Sequence, residues 1–274
     1  MTLRRLIPLL RRKEDRSWQQ EVEAKVARWW QVMERRAHTA ADPINPEKVF
    51  WELSSRLPDD AMLASDSGTS ANWYARYLRF RGRMRGSLSG NLATMGPGVP
   101  YVIGAKFAHP DRPAIALVGD GAMQMNGLAE LITISHYWKH WSDPRLIVAV
   151  LNNGDLAQVT WELRAMEGAP RFDASQLLPP VPYASFASSL GLNAIKVDDP
   201  ADVGRAWDEA LSADRPSVLE FVTDAAVPPI PPHATLDQIE KAALSLLRGD
   251  GDRWDVVKEG LLLKAQELLP GTKK

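Results

Sequence analysis

The sequence contains no cysteine among its 274 residues, and this absence excludes several kinds of chemistry. There can be no disulfide, no thiolate nucleophile and no cysteine-ligated zinc. An excess of charge of one sign is also lacking, since 33 Lys and Arg stand against 34 Asp and Glu, a formal net charge of −1. Because no global field would attract a polyanion or an anionic bilayer, we expect neither nucleic acid nor a membrane as a partner.

Long apolar runs and a dinucleotide fingerprint are missing as well. No run approaches the length that spans a bilayer. The N-terminal apolar stretch Leu6–Leu10 is too short for a signal peptide, is broken by Pro8 and is followed at once by Arg11 and Arg12. No Gly-x-Gly-x-x-Gly follows the first predicted strand, which argues against a Rossmann-type dehydrogenase. We therefore expect a cytoplasmic protein of another class.

Apolar runs that alternate with helical stretches occupy the middle of the chain. The runs predict five strands: Ala61–Ser65, Pro113–Val118, Arg145–Leu151, Ala194–Val197 and Ser217–Val222. Helical periodicity predicts the helices Pro97–Phe107, Met125–Trp138, Tyr183–Leu190 and Ala201–Leu211. Continuous apolar runs indicate strands that are buried on both faces. The prediction is an α/β fold, a doubly wound and mostly parallel sheet with helices on both faces.

Three segments follow from changes in composition. Residues 1–42 predict a charged, amphipathic helical arm, whose apolar positions include Trp29 and Trp30 and which we expect to pack on something else. Residues 43–227 form the α/β domain. Residues 228–274 form a Pro-rich connector and C-terminal helices, predicted at Thr235–Leu247 and Trp254–Leu268.

Two short polar motifs each follow a predicted strand. Gly119-Asp120-Gly121-Ala122 combines glycines, which let the backbone approach an anion, with one carboxylate. An acid beside a phosphate would repel it unless a cation lies between them, so Asp120 suggests magnesium. Asn152-Asn153-Gly154-Asp155 offers neutral amide oxygens. Each motif alone also forms ordinary turns, but adjacent parallel strands would bring the two loops together.

The pair of motifs, separated by thirty residues, resembles the signature of thiamine diphosphate enzymes. The resemblance implies Asp120, Asn153 and the carbonyl of Asp155 as magnesium ligands. It also implies that the loops of both motifs contact the cofactor, through the residues Gly119, Gly121, Ala122, Asn153 and Leu156.

Two further segments carry the same resemblance. Asp66-Ser67-Gly68-Thr69-Ser70 resembles the loop that touches the diphosphate, which implies Thr69 as a contact. Leu92-Ala93-Thr94-Met95-Gly96 resembles the segment beneath the cofactor, which implies Thr94 as a contact and Met95 as the apolar wedge that bends it. Met95 could instead be core filler, because methionine adapts to irregular gaps.

The resemblance runs from about Asp42 to His233 and is greatest to bacterial pyruvate oxidases and quinone-dependent pyruvate dehydrogenases. It implies a 2-oxo acid such as pyruvate as substrate. Glu162 is expected at the start of a helix near the cofactor, where it either lines the substrate pocket as a catalytic residue or is a solvated helix residue. FAD belongs to full-length relatives of this kind and is not expected on this chain.

Members of this family have two further domains, one of which supplies a glutamate that activates the cofactor. We therefore expect the isolated chain to bind thiamine diphosphate and Mg²⁺ and to turn over 2-oxo acids poorly. A homodimer, a homotetramer or a partner chain with the pyrimidine-binding domain would complete the site. The alternative is a non-catalytic cofactor-binding or assembly module.

Overall fold

The computed structural model describes residues 2–11, 13–229 and 236–251. The strands are β1 (Met62–Ser65), β2 (Arg85–Leu88), β3 (Ala114–Gly119), β4 (Leu146–Asn152), β5 (Asn193–Val197) and β6 (Ser217–Val222). The α-helices are α1 (Thr2–Leu6), α2 (Ser17–Ala37), α3 (Pro46–Arg56), α4 (Thr69–Tyr77), α5 (Gly98–Ala108), α6 (Asp120–Ala122), α7 (Leu128–Tyr137), α8 (Ala157–Glu162), α9 (Asp173–Gln176), α10 (Tyr183–Ser189), α11 (Val203–Ser212) and α12 (Leu236–Leu247). Wider helical turns, Met123–Gly127 and Leu163–Glu167, follow α6 and α8.

The six strands form one sheet in the order β2-β1-β3-β4-β6-β5, with every neighbouring pair parallel. The predicted α/β class and the five predicted strands are confirmed, each within a residue of its expected bounds. The pattern missed β2, because its sequence Arg-Gly-Ser-Leu is exposed throughout and has no apolar run. It sits at the edge of the sheet, where burial does not select apolar residues.

Helices cover both faces of the sheet, as a doubly wound fold requires. On one face α2, α3, α4 and α11 pack around side chains such as Phe50, Trp73 and Trp207. On the other, α5, α7 and α10 pack around Val102, Leu131 and their neighbours. The central strands β3 and β4 are buried along almost their whole length, which explains their continuous apolar sequences.

The N-terminal arm differs from the expectation in how it is anchored. Val32 and Met33, near the end of α2, are buried in the core, whereas Trp18 near its start is 70% exposed. Trp29 and Trp30 are half-buried against the same core, and the Arg79 guanidinium lies 3.8 Å from the centre of the Trp30 ring. These two tryptophans are therefore covered largely by this chain and are not the exposed patch that the sequence suggested.

The C-terminal segment is described only in part. Helix α12 confirms the predicted tail helix from Leu236 onward. The predicted helix Trp254–Leu268 and residues 230–235 of the Pro-rich connector lie outside the described residues. None of the described helices combines the length and apolar character that a membrane crossing requires.

The order in which strands are added to the sheet reverses between β1 and β3. From β1 the chain moves outward to the edge strand β2, and it then returns to build β3, β4, β6 and β5 on the other side. Ligands of doubly wound sheets bind at the carboxyl ends of strands at such a switch point. The loops that leave β1, β3 and β4 contain Ser67, Asp120 and Asn153, which places the predicted polar motifs at this point.

Candidate cofactor site

A cleft opens where β1, β3 and β4 end. Its lining residues come from four separate segments: Ser67, Gly68, Thr69, Met95, Gly119, Asp120, Gly121, Ala122, Asn153, Asp155, Leu156, Ala157, Gln158 and Val159. Nine of the predicted site residues are among them: Thr69, Met95, Gly119, Asp120, Gly121, Ala122, Asn153, Asp155 and Leu156. Thr94 and Glu162 are not.

Asp120 ties the two motif loops together. Its Oδ1 accepts a hydrogen bond from the Gly121 amide at 2.9 Å. Its Oδ2 accepts from the Asn153 amide at 3.0 Å and from the Gly154 amide at 2.6 Å. The carboxylate at the end of β3 thus fixes the loop that follows β4, and the two motifs form a single site.

Burial makes the charge of this carboxylate costly. Asp120 is only 3% exposed, and burial raises its pKa to about 6, although the backbone hydrogen bonds from Gly154, Gly121 and Asn153 act in the opposite direction. Asp155, which lines the same cleft, raises the pKa further through charge repulsion. A carboxylate held in this way gains from a cation placed against it.

The loop after β4 is held in one conformation by its own polar groups. The Asn153 Oδ1 accepts from the Asp155 amide at 3.0 Å, and Gly154 takes the left-handed φ of 69°. Thr160 Oγ1 donates to Asp155 Oδ1 at 2.9 Å. An amide oxygen carries two lone pairs, so Asn153 can accept this bond and still coordinate a cation.

A tyrosine fixes the backbone of Asp120 from behind. The Tyr183 hydroxyl donates to the Asp120 carbonyl at 3.1 Å and accepts from Gln124 Nε2 at 3.2 Å. Burial raises the pKa of Tyr183 to about 12, so the hydroxyl stays protonated and remains a donor. Nothing in the local sequence signals this contact, because it joins residues 63 positions apart.

Residues 66–221 match the family described as thiamine pyrophosphate enzyme, C-terminal TPP binding domain. The match covers more than half of the chain. This chain belongs to that family. Thiamine pyrophosphate is thiamine diphosphate, so the resemblance drawn from the motifs is confirmed at the level of the cofactor-binding domain.

Several longer proteins resemble this thiamine diphosphate domain. YdaP of Bacillus subtilis, which is named as a thiamine pyrophosphate-containing protein, is 33% identical over 246 residues, 90% of this chain and 41% of YdaP. The acetolactate synthase of Arthrospira platensis is 35% identical over 180 residues, 65% of this chain and 30% of the synthase. Acetolactate synthase isozyme 3 large subunit of Escherichia coli is 31% identical over 202 residues, 71% of this chain and 34% of that subunit. The chain spans less than half of each.

The relatives refine the first resemblance. The sequence motifs pointed most strongly to pyruvate oxidases, whereas these relatives include acetolactate synthases and YdaP. The family match therefore establishes the cofactor domain and leaves the reaction of the whole protein to be proposed.

Of the two glycines in the first motif of the thiamine diphosphate domain, Gly119 leaves room for the cofactor to approach the backbone, and Gly121 is closely packed. Gly119 has nothing within 4 Å of the position that a Cβ would take. At Gly121 a Cβ would lie 2.6 Å from Leu156 Cδ2 and 3.3 Å from the Met95 methyl. The two glycines therefore have different reasons to lack a side chain. The open backbone at Gly119, the buried carboxylate and the amide oxygen of Asn153 fit a diphosphate with its cation.

Two predicted residues lie away from the cleft wall. Thr94 is exposed, and its backbone amide donates a hydrogen bond to Ser89 Oγ at 3.1 Å. Glu162 is exposed at the end of α8, not at the start of the helix as the sequence suggested, and its Oε1 accepts from Gln158 Nε2 at 2.9 Å. Gln158 does line the cleft, and its Oε1 accepts from Asn72 Nδ2 on α4 at 2.7 Å.

Sequence reasoning missed Gln158, Asn72 and Asp66. Gln158 follows the second motif by a few residues and could have been noted as a polar residue at the start of a helix. Asn72 gives no signal, because only the fold brings α4 against α8. Asp66 was quoted as part of the Thr69 loop but was given no role, and the structure shows it buried at the end of β1.

Proposed function

We propose that this domain binds thiamine diphosphate through Mg²⁺, with Asp120, Asn153 and the Asp155 carbonyl as protein ligands of the metal. The observation that carries the proposal is the hydrogen bonding of Asp120 to the loop after β4, which joins both motifs around one point. Among the described residues, no group of three or more His, Cys, Asp or Glu side chains is arranged to hold a metal. A cation here would therefore depend on the diphosphate for much of its negative charge.

The remaining lining residues have distinct proposed tasks. Thr69, the open backbone at Gly119 and the backbone of Gly121 and Ala122 face the diphosphate. Met95 and Leu156 flank Gly121 and form the apolar support beneath the centre of the cofactor. Thr94 contributes through the backbone of the Met95 segment. When bound, the cofactor supplies an electron sink for the carbon–carbon bond that is broken; the protein supplies position and exclusion of water.

We propose a 2-oxo acid of the pyruvate type as substrate. Glu162 is the candidate acidic residue for the substrate side, and it connects to the cleft through Gln158 and on to Asn72. Two reactions compete. Oxidative decarboxylation, as in pyruvate oxidases, rests on the likeness of the motifs, and formation of acetolactate is favoured by the relatives named as acetolactate synthases.

A second polypeptide segment is part of this proposal. The carboxylates among the described residues that line the cleft belong to Asp120, which is assigned to the metal, and to Asp155, whose Oδ1 accepts from Thr160 Oγ1. We propose that the glutamate that activates the cofactor comes from a pyrimidine-binding domain on another segment or chain, in a homodimer, a homotetramer or a complex of two different chains. If no such segment pairs with the cleft, the domain is a non-catalytic cofactor-binding module.

Thermal unfolding with a panel of ligands tests the binding proposal. Thiamine diphosphate with Mg²⁺ at 100 times its Kd should stabilise the chain by about 2.7 kcal/mol, which corresponds to about 5–10 °C in Tm for a chain of this size. NAD⁺ at the same concentration should leave Tm unchanged. Stabilisation by NAD⁺ and not by thiamine diphosphate would contradict the proposal.

The two reactions can be separated by their products once the complete enzyme is assembled. The oxidative route consumes an electron acceptor and yields one two-carbon product for each CO₂ released. The ligation route needs no acceptor and consumes two molecules of pyruvate for each CO₂. The ratio of pyruvate consumed to CO₂ released, with and without an acceptor, decides between them.

A further inference from the structure

A second buried carboxylate lies at the end of β1, next to the strand that presents Asp120. Asp66 is 1% exposed. Its Oδ1 accepts from the Ser67 amide at 2.8 Å and from the Gly96 amide at 2.9 Å, and its Oδ2 accepts from the Gly98 amide at 2.8 Å. One side chain thus joins the loop after β1 to a segment thirty residues further along.

Glycine at both partner positions makes this approach possible. Gly96 has a φ of 99°, which favours glycine, and a Cβ there would lie 2.7 Å from Asn126 Nδ2. A Cβ at Gly98 would lie 2.9 Å from Asp66 Oδ2 and 2.6 Å from Val118 Cγ1. The backbone could not come this close to the carboxylate with larger residues.

The segment held in this way carries Met95, which directly precedes Gly96. The residues before it are poorly anchored, since 91–94 are exposed and Ala93 has a φ of 48°. The Met95 methyl lies 3.3 Å from the position of a Cβ on Gly121, above the first metal motif. The hydrogen bonds to Asp66 are therefore the point at which this segment is attached to the end of the sheet.

Asp66 and Asp120 are similar in form and differ in surroundings. Each is a buried carboxylate that accepts three backbone hydrogen bonds at the end of adjacent strands. Asp120 lines the cleft and Asp66 does not. The bonds of Asp66 run toward the Met95 segment and the first turn of α5, whose amides favour a negative charge.

We propose that Asp66 is a positioning residue, which holds Met95 under the organic part of the cofactor and takes no part in binding the metal. This inference rests on the proposed function, because Met95 has a task only if thiamine diphosphate binds. It predicts that Asp66 affects recognition of the thiazolium and pyrimidine rings and leaves recognition of the diphosphate with Mg²⁺ unchanged.

The first test uses the chain without any ligand. Asp66→Asn replaces one acceptor oxygen by an amide that faces a backbone N–H, so hydrogen exchange should rise at least about tenfold in peptides that cover residues 89–99, as the loss of charged hydrogen bonds implies. Lys106→Met is the matched control. Lys106 ties the other end of α5 to the carbonyls of Pro110, Arg112 and Asp143, and its loss should leave residues 89–99 unchanged.

The second test compares two probes by calorimetry. Asp66→Asn should weaken binding of thiamine diphosphate with Mg²⁺ by about tenfold and change binding of inorganic pyrophosphate with Mg²⁺ by less than about twofold. Met95→Ala should do the same, and the double variant should lose no more than the larger single loss, because both substitutions act through one contact. Gly98→Ala, whose Cβ would displace Asp66 Oδ2 and also press on Val118 Cγ1, gives the same comparison of the two probes if Asp66→Asn fails to fold.

Two results would overturn the inference. Equal weakening of both probes would mean that Asp66 supports the diphosphate end or the fold as a whole. If the affinity lost in the double variant equals the product of the two single losses, Asp66 and Met95 act separately. If the unsubstituted chain binds neither probe, the proposed function fails, and the exchange experiment still decides whether Asp66 holds the Met95 segment.

Discussion

At the scale of single residues, Asp120 contributes a pH dependence to the stability of the domain. Its pKa is about 6 in the folded chain, against an ordinary value of 3.8, because burial disfavours its charge. The folded state therefore binds more protons than the unfolded state between pH 4 and pH 6, and this group makes the chain less stable as pH rises through that window.

This gives a measurable difference between two variants. In the absence of Mg²⁺, the free energy of unfolding of the unsubstituted chain minus that of Asp120→Asn should fall by about 2.5 kcal/mol from pH 4 to pH 7. The subtraction cancels the titrating groups that do not interact with Asp120, including Asp66, whose pKa is also raised by burial. Urea titrations at several pH values measure it. A difference that stays constant, or that rises with pH, would contradict the assigned direction.

Gly121 tests the apolar floor of the cleft. Gly121→Ala should weaken binding of thiamine diphosphate by about tenfold, since the new Cβ must displace Leu156 and crowd Met95. The cost in folding stability should be small, because a terminal methyl of Leu156 can move. Gly104→Ala is the control: it lies within α5 with nothing within 4 Å of a new Cβ, and it should stabilise the chain by about 0.5–1 kcal/mol without affecting binding. Equal affinity in both variants would remove Gly121 from the site.

Sequence reasoning predicted correctly that the residues of two short motifs would lie close together. Asp120 and Asn153 stand in short motifs directly after apolar strands, and the parallel sheet brings them together. It failed where a role depends on the fold alone. Asp66 has the same residue type as Asp120 and follows a strand in the same way, yet its partners Gly96 and Gly98 are distant in the chain. Tyr183 and Asn72 are long-range contacts of the same kind.

At the scale of elements, the central strands could be predicted and the edges could not. β3 and β4 are buried on both faces, so their sequences are unbroken apolar runs. β2 is exposed and contains Gly86. The helix expected to start at Glu162 was placed too late in the chain, because Glu162 is the last residue of the short helix α8 and a wider turn follows it.

A buried ion pair connects α12 to the helix that covers the cleft. Arg164, just after α8, donates to both carboxylate oxygens of Asp250 at 2.8 Å, and both side chains are almost fully buried. The Arg164 guanidinium also lies 5.1 Å from the centre of the Trp161 ring. Removing one partner of such a pair leaves an uncompensated buried charge.

We therefore expect Asp250→Ala to destabilise the chain by about 3–5 kcal/mol or to detach α12 locally, with faster hydrogen exchange in residues 157–168 and 236–250. Asp237→Ala on the same helix is the control, because its ion pair with Lys241 is exposed and should change stability by less than about 1 kcal/mol. Equal effects of the two substitutions would show that the buried pair does not anchor α12.

At the scale of the whole molecule, the chain spans between 30% and 41% of the relatives compared above, and its cleft offers carboxylates only at the metal end in the part that the structure describes. We expect the purified 274-residue chain to bind thiamine diphosphate. It should release CO₂ from pyruvate about 10²–10⁴ times more slowly than the same chain paired with a glutamate-bearing domain, because general acid–base catalysis contributes a factor of this size. Release of labelled CO₂ from carboxyl-labelled pyruvate measures this rate. Rapid release by the chain alone would contradict the requirement for a second domain.

The central claim is that Asp120 holds a magnesium ion that in turn holds the diphosphate, and calorimetry of thiamine diphosphate binding tests it most directly. The titration is made with Mg²⁺, with a chelator, and again with Asp120→Ala. The account predicts that binding requires Mg²⁺. In Asp120→Ala the affinity should fall by about 100-fold or more, because a charged ligand of the metal is lost. The binding that remains in that variant should not depend on Mg²⁺. Binding of equal strength in chelator, or an unchanged affinity in Asp120→Ala, would contradict it.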